Sequence, residues 1–362
     1  MIEFAFTAAA AAVVVSLVLV PIARRVALAA GLVAEVRPDR LHTQPRPYGG
    51  GFAIADTLIL VVGGAWLLGL YAPADWLPGW LPPRLGEHLD ARTPTLARLA
   101  VGALVFFVIG LLDDRYSLPP WPKLLLQVFA AALAVLGLGI KATVWIEVPW
   151  VAEAVSILWI VAVVNAYNMF DHADGLAAAV GAVALVALAA GQMMMGEWFV
   201  PGAALATAGA LLGFLVHNFP PARLFMGDAG SHLVGYLFAG LAMVARYYFP
   251  NRGTTRWVVL VPVLLFAVPL VDMVLVSVAR LVRRRSPFVG DATSHFAHRM
   301  LARGAHPATP VLAAAGLMVV AGVGATVLYL PRPLGIPGLP YLAVVFAAMV
   351  WLRREPKREA DA

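Results

Sequence analysis

The stretch from Val148 to Ala178, VPWVAEAVSILWIVAVVNAYNMFDHADGLAA, changes character once. Up to Val164 it is almost wholly apolar, and about 20 such residues suffice to cross the hydrocarbon of a bilayer. Then Asn165, Asn168, Asp171 and Asp174 follow at every third position. Steps of three drift slowly around a helix, so Asn165, Asn168 and Asp171 are expected on one face, with Asp174-Gly175 where the next helix would be capped. That face offers two amides and a carboxylate at the end of a span. Amides can hold a nucleobase, ribose or phosphate, and a carboxylate can take a hard cation. An ionisable group beside hydrocarbon is costly enough that its default reading is functional. Asn165 has a blander reading too, as a polar tie between helices.

The rest of the chain repeats this plan. Of its 362 residues 62% are hydrophobic and 13% charged, and the mean hydropathy is +0.85. That composition excludes an ordinary soluble domain and predicts an all-α polytopic membrane protein, one domain over 1–362. Apolar runs of spanning length fall at 4–22, 52–71, 97–112, 123–140, 148–166, 176–195, 199–216, 233–249, 257–281, 308–330 and 338–352, about eleven helices. The fifth and seventh are the weakest, because Pro149 and Pro201 interrupt them. Arg24-Arg25 follows the first run where a cleaved leader would carry small residues, so that run reads as a retained helix. Most of the 26 Lys and Arg lie on one set of alternating loops, which puts the N-terminus outside and the C-terminus in the cytoplasm. There is no cysteine, hence no disulfide and no thiolate metal site.

Four further clusters fall on that same cytoplasmic side. Asp113-Asp114-Arg115 ends the third span; adjacent acids cannot share a helix face, so the two should differ in role, one toward a metal and the other toward substrate or a lysine such as Lys123. The segment Asn218 to Ser231, NFPPARLFMGDAGS, reads as a loop leading into a helix at about Ser231. Small residues and a helix N-terminus suit a phosphate, Asp228 could hold the cation the phosphate shares, and Phe225 could stack on a base. His295 and His298, with Arg299, would suit a pyrophosphate if they share a helical face; a zinc pair is the rival reading, but no third nitrogen or sulfur ligand is nearby in sequence. The loop from Pro38 to Gly51, which contains His42, is basic, stiffened by proline and ends in glycines, a form that could cover an anionic substrate.

In order, H-x-x-P-x-P-x-GG from His42, GLLDDR from Gly110, NxxNxxDxxDGLAA from Asn165, NFPPAxxFMGDxGS from Asn218 and SPFxGD…HFxHR from Ser286 resemble the polyprenyl-phosphate N-acetylhexosamine-1-phosphate transferases over nearly the whole chain. The resemblance implies a bacterial inner-membrane enzyme with its active site facing the cytoplasm. Such an enzyme uses Mg2+, with Mn2+ as an alternative, to move a sugar 1-phosphate from a UDP-sugar to undecaprenyl phosphate, releasing UMP and starting a cell-envelope glycan. It implies Asp228 and Asp171 as metal ligands, Asp113 and Asp114 near metal and lipid phosphate with Lys123 beside them, and Asn168, Asp174, Asn218 and Phe225 on the nucleotide side. His295, His298 and Arg299 would lie near the diphosphate and His42 at the substrate. Nucleic acid is not implied; a homodimer is an option. The motifs look more like the UDP-GlcNAc branch than the MurNAc-pentapeptide branch. A transporter of similar span count would carry its acids at the midplane of two related halves, which this chain lacks; a scaffold would depend on no aspartate. The chain departs from the family pattern at His172-Ala173, where glycine and leucine are usual, and at Ala297, where many relatives have histidine.

Overall fold

The computed structural model describes residues 2–34, 46–73, 76, 78–79, 85–142, 148–248, 254, 256–286, 295–330 and 339–353. Every expected apolar run that it covers is helical. The helices are α1 (Ile2–Ala29), α2 (Gly50–Leu58) continued through a π turn into α3 (Gly64–Tyr71), α4 (Leu85–Tyr116), α5 (Pro120–Ala132), α6 (Pro149–Phe170), α7 (Leu176–Met194), α8 (Phe199–Asn218), α9 (Gly227–Val244), α10 (Val261–Leu265), α11 (Ala267–Val282), α12 (Phe296–Ala302), α13 (Ala308–Val327) and α14 (Leu339–Leu352). Eight helical stretches among the described residues are long and apolar enough to cross a membrane. A ninth is added if the pair around α10 and α11, bent by 72°, counts as one span. The eleven expected runs therefore divide less evenly than their lengths suggest. α14 is only 14 residues long, and α9 carries Asp228 and His232 in its opening turns.

Proline does not weaken the fifth and seventh spans. Pro149 stands at the first position of α6 and Pro201 in the first turn of α8, where the missing N–H would have had no partner in any case. α7, α8 and α9 form the centre, with most of their residues buried. Around them α1 lies on α8, α4 and α6 on α9, and α13 on α7. The outer helices expose large apolar side chains such as Val14, Leu60, Leu104, Leu125, Leu158 and Val319, as lipid-facing surfaces do. α4 has 32 residues, about 48 Å of helix, so Asp113 and Asp114 in its last turn lie at the far end from Glu87 and Asp90 in its first two.

A short ribbon completes the site end. Val33–Ala34 (β1) pairs antiparallel with Arg46–Pro47 (β2), and Tyr48 bridges to Phe225. The amides of Gly50 and Gly51 then donate to the carbonyls of Phe225 and Met226 at 2.9 and 2.8 Å. The end of the first loop and the approach to α9 are thus one hydrogen-bonded unit. His42 lies outside the described residues.

Candidate active site

The site starts from a helix that begins earlier than the sequence suggests. α9 opens at Gly227 and not at Ser231, because its first free N–H groups find an acceptor on another helix. Asp114 at the end of α4 accepts from the amide of Asp228 at 2.8 Å and of Ala229 at 3.0 Å, one through each carboxylate oxygen. Gly227 has φ +74°, and a Cβ there would stand 2.7 Å from Asp114 Oδ2. Gly110, one turn before Asp114, lets the two backbones meet: its Cβ would stand 2.2 Å from the carbonyl oxygen of Asp228.

With α9 so placed, Asp228 points to the ends of α5 and α6. Lys123 Nζ donates to Asp228 Oδ2 at 2.9 Å and to Asn168 Oδ1 at 3.0 Å, and pairs closely with Asp113 Oδ2. Asn168 Nδ2 donates to Asp228 Oδ1 and to Ser231 Oγ, both at 2.9 Å. The Asp113 and Asp228 carboxylates thus meet on one ammonium. Asp113 also accepts from the Leu118 amide at 2.8 Å. The neighbouring acids have different partners, Asp113 the lysine and Asp114 the helix N-terminus. Asp228 has 35% of its side chain exposed against 8% for Asp113, so it is the carboxylate an incoming ligand reaches first.

One ammonium shared by two carboxylates leaves net negative charge among hard oxygen donors. Mg2+ is usually held by one or two carboxylates together with substrate phosphates, and Asp113 and Asp228 fit that pattern. Asp171 lies one residue past α6, capping the helix that carries Asn168.

Asp174 and Asn218 hold the scaffold. Asp174 does not cap α7, whose N-cap is Gly175 at φ +73°. It accepts from the Ala222 amide at 2.8 Å and pairs with Arg46 at 3.4 Å. Asn218, 3% exposed, accepts from the Gly175 amide and donates to the Leu224 carbonyl, both at 2.9 Å. Together they fix the 219–226 loop against the α6–α7 connection. The Phe225 ring is half-buried, with Tyr48 tilted against it at 6.4 Å and the Arg46 guanidinium over it at 5.8 Å.

The histidines form a second cluster. His295 precedes α12 with extended backbone, so it and His298 do not share a helical face as expected. Both are buried and both lie near His172, whose ring stacks on His295 at 4.1 Å and stands 5.6 Å from His298. Burial pushes the His172 imidazole well below its usual range, and the two neighbouring histidines add to that. His295 Nδ1 meets Asp272 Oδ2 at 2.6 Å, and Arg353 faces the other oxygen at 3.6 Å. Arg299 donates to the Arg353 carbonyl at 2.8 Å, closing the end of α14.

Four polar residues in these networks escape the sequence reading. Gln127 and His232 are fully buried in a chain that runs from Asn165 Nδ2 to Gln127 Oε1 at 2.7 Å, from Gln127 Nε2 to His232 Nε2 at 2.8 Å, and from His232 Nδ1 to the Asp228 carbonyl at 2.7 Å. Asp272 sits in an apolar run, which was itself a signal. Arg46 had none beyond its charge.

A helical membrane protein that gathers carboxylates, an ammonium and amides at its helix ends belongs to the class of enzymes that handle charged groups at a bilayer surface. Residues 96–246 match the model of glycosyl transferase family 4. The chain is 31% identical over 362 residues to the decaprenyl-phosphate N-acetylglucosaminephosphotransferase of Mycolicibacterium smegmatis, covering 92% of this chain and 85% of that protein. It is 29% identical over 296 residues to a Bacillus subtilis protein named "Probable undecaprenyl-phosphate N-acetylglucosaminyl 1-phosphate transferase", covering 80% and 75%. Against the phospho-N-acetylmuramoyl-pentapeptide-transferase of Synechococcus sp. the identity is 37% over 187 residues, covering 46% and 52%. The chain belongs to glycosyl transferase family 4, among the polyprenyl-phosphate N-acetylhexosamine-1-phosphate transferases.

Proposed function

We propose that the protein transfers N-acetylglucosamine 1-phosphate from UDP-N-acetylglucosamine to a polyprenyl phosphate such as undecaprenyl phosphate, at the cytoplasmic face of a bacterial inner membrane. An oxygen of the lipid phosphate attacks the β-phosphorus of the UDP-sugar. The bond from that phosphorus to the bridging oxygen breaks, and UMP leaves with the electron pair. The observation that carries this reading is the Asp113–Lys123–Asp228–Asn168 cluster at the ends of α4, α5, α6 and α9. Two anions must meet in this reaction, so neutralising the diphosphate is the main requirement. Asp228 and Asp113, with Asp171 at the end of α6, would hold Mg2+ or Mn2+, which would supply that charge and favour UMP as leaving group. Lys123 adds a second positive charge and ties the two carboxylates to one point. A phosphate monoester is already largely ionised near neutrality, so positioning its oxygen suffices without a base. Asp114 acts through α9. Phe225, with Asp174 and Asn218 fixing its loop, is the nucleotide side, while His295 and His298 approach the diphosphate.

Relatives matched over most of the chain support the GlcNAc branch by their names, and the basic residues of the loops support the cytoplasmic face. Purified protein with Mg2+, undecaprenyl phosphate and a panel of UDP-sugars is expected to release UMP from UDP-GlcNAc and not from UDP-MurNAc-pentapeptide. The reverse pattern moves the chain to the peptidoglycan branch, and no UMP from any sugar overturns the reading.

A further inference from the structure

The histidine pair His295 and His298 lacks a third ligand in its own stretch of sequence, but the fold supplies candidates from two distant ones. His172 enters from the α6–α7 connection and Asp272 from α11. One ligating atom from each of His172, Asp272 and His295 lies within 4.8 Å of the others. Donors on a common zinc ion, with bonds of about 2.1 Å in a tetrahedron, stand roughly 3.4 Å apart. Movements of about an ångström therefore join them.

The hydrogen bonds say which lone pairs are available. His172 Nδ1 faces the Met169 carbonyl at 3.1 Å; a carbonyl only accepts, so Nδ1 carries the hydrogen and Nε2 keeps its lone pair. That Nε2 is buried with no hydrogen-bond partner among the described residues. A ring whose Nδ1–H is held by a backbone carbonyl while Nε2 looks into a polar cluster has the usual form of a metal-ligating histidine. His295 and Asp272 share one hydrogen across 2.6 Å, and a metal ion can take the place of that proton. Arg353 lies against the outer oxygen of Asp272 and orients that carboxylate. The arginines around it, Arg280 and Arg299 among them, weaken any cation's hold and favour an anion in the fourth position.

We propose that His172 Nε2, His295 Nδ1 and Asp272 Oδ2 form a site for a divalent transition-metal ion of the zinc type, with its fourth position open to water or an anion. Two nitrogens and one oxygen select zinc, cobalt or nickel over Mg2+. On loading, the imidazole hydrogen of His295 moves from Nδ1 to Nε2, so that Nδ1 offers its lone pair to the ion. The ion would tie the connection carrying Asp171 and Asp174 to α11 and to the segment before α12.

The test uses Co2+ alone, on tag-free full-length protein in detergent with millimolar Mg2+ present. With no cysteine in the chain, visible bands report nitrogen and oxygen coordination only. One equivalent of Co2+ is expected to give the intense bands of a four-coordinate ion, displaced by Zn2+. His172→Ala is expected to abolish the bands. Should that variant not fold, Asp272→Asn replaces it with the same expectation. Absence of the bands in the parent protein, or their survival in the folded variant, overturns the site. The readout does not depend on turnover, so failure here leaves the transferase reading standing, and failure of UMP release leaves this site standing.

Discussion

At the scale of single residues, Asp228 is the most exposed to test. It accepts one hydrogen from Asn168 and one from Lys123. Asp228→Asn keeps the shape but sets an amide N–H against one of those donors, a cost of about 1–3 kcal/mol. The protein should still fold in detergent while UMP release falls by orders of magnitude; activity within about threefold of the parent would remove Asp228 from the chemistry. Asp114 should behave in the opposite sense. Its two oxygens serve two backbone amides, and asparagine can serve only one, so Asp114→Asn should lower the thermal unfolding temperature more than Asp113→Asn does. A larger loss for Asp113→Asn would mean that Asp114 is not the cap on which α9 rests. The sequence showed that these acids matter and that adjacent ones must diverge. It could not show which faces a lysine and which a helix end, because Lys123 is about equally near both in sequence while the head of α9 lies more than a hundred residues away. For the same reason the partners of Asp174 and Asn218, backbone groups of Ala222, Gly175 and Leu224, could not be read from the sequence.

At the scale of elements, the contact of α4 with α9 depends on having no side chain at Gly110. Gly110→Ala must push the α9 N-terminus away and carry Asp228 off Asp113 and Lys123. A displacement of about an ångström can cost on the order of a hundredfold in rate, so turnover of the folded variant is expected to fall steeply; unchanged turnover would mean that this contact does not position the site. Asn165 belongs to a different link. It anchors the buried chain through Gln127 to His232, and Asn165→Ala leaves the Gln127 carbonyl oxygen without its donor. The expected result is a loss of about 1–3 kcal/mol of stability, seen as a lower unfolding temperature, with turnover of the folded fraction nearly kept. Helices and their approximate ends were legible from hydropathy alone. The start of α9 was not, since its cap comes from another helix; the break at Phe266 had a signal in Pro269, which cannot bond back to Leu265 and so stands in the first turn of a new helix.

At the scale of the whole molecule, the ends of α4 offer a test of sidedness in a chain with no cysteine of its own. Cysteines at Ser117 and Arg223, exposed beside the site, should be shielded from an impermeant thiol reagent in intact cells. One at Ala91, exposed near the other end of α4, should label. Labelling at Ser117 or Arg223 would place the carboxylate cluster outside. The one-sidedness of the clusters was readable from loop charge, but the gathering of His172, Asp272 and His295 was not, because three separate stretches meet there. The cap that Asp114 gives α9 has a last consequence, for how such proteins can be recombined. GLLDDR on α4 and FMGDAGS at the head of α9 look like two signatures but behave as one part. A chimera that takes either from a relative whose backbone spacing differs leaves two bare amides at the head of a buried helix, so the pair, and not either motif, is the unit that can be transplanted.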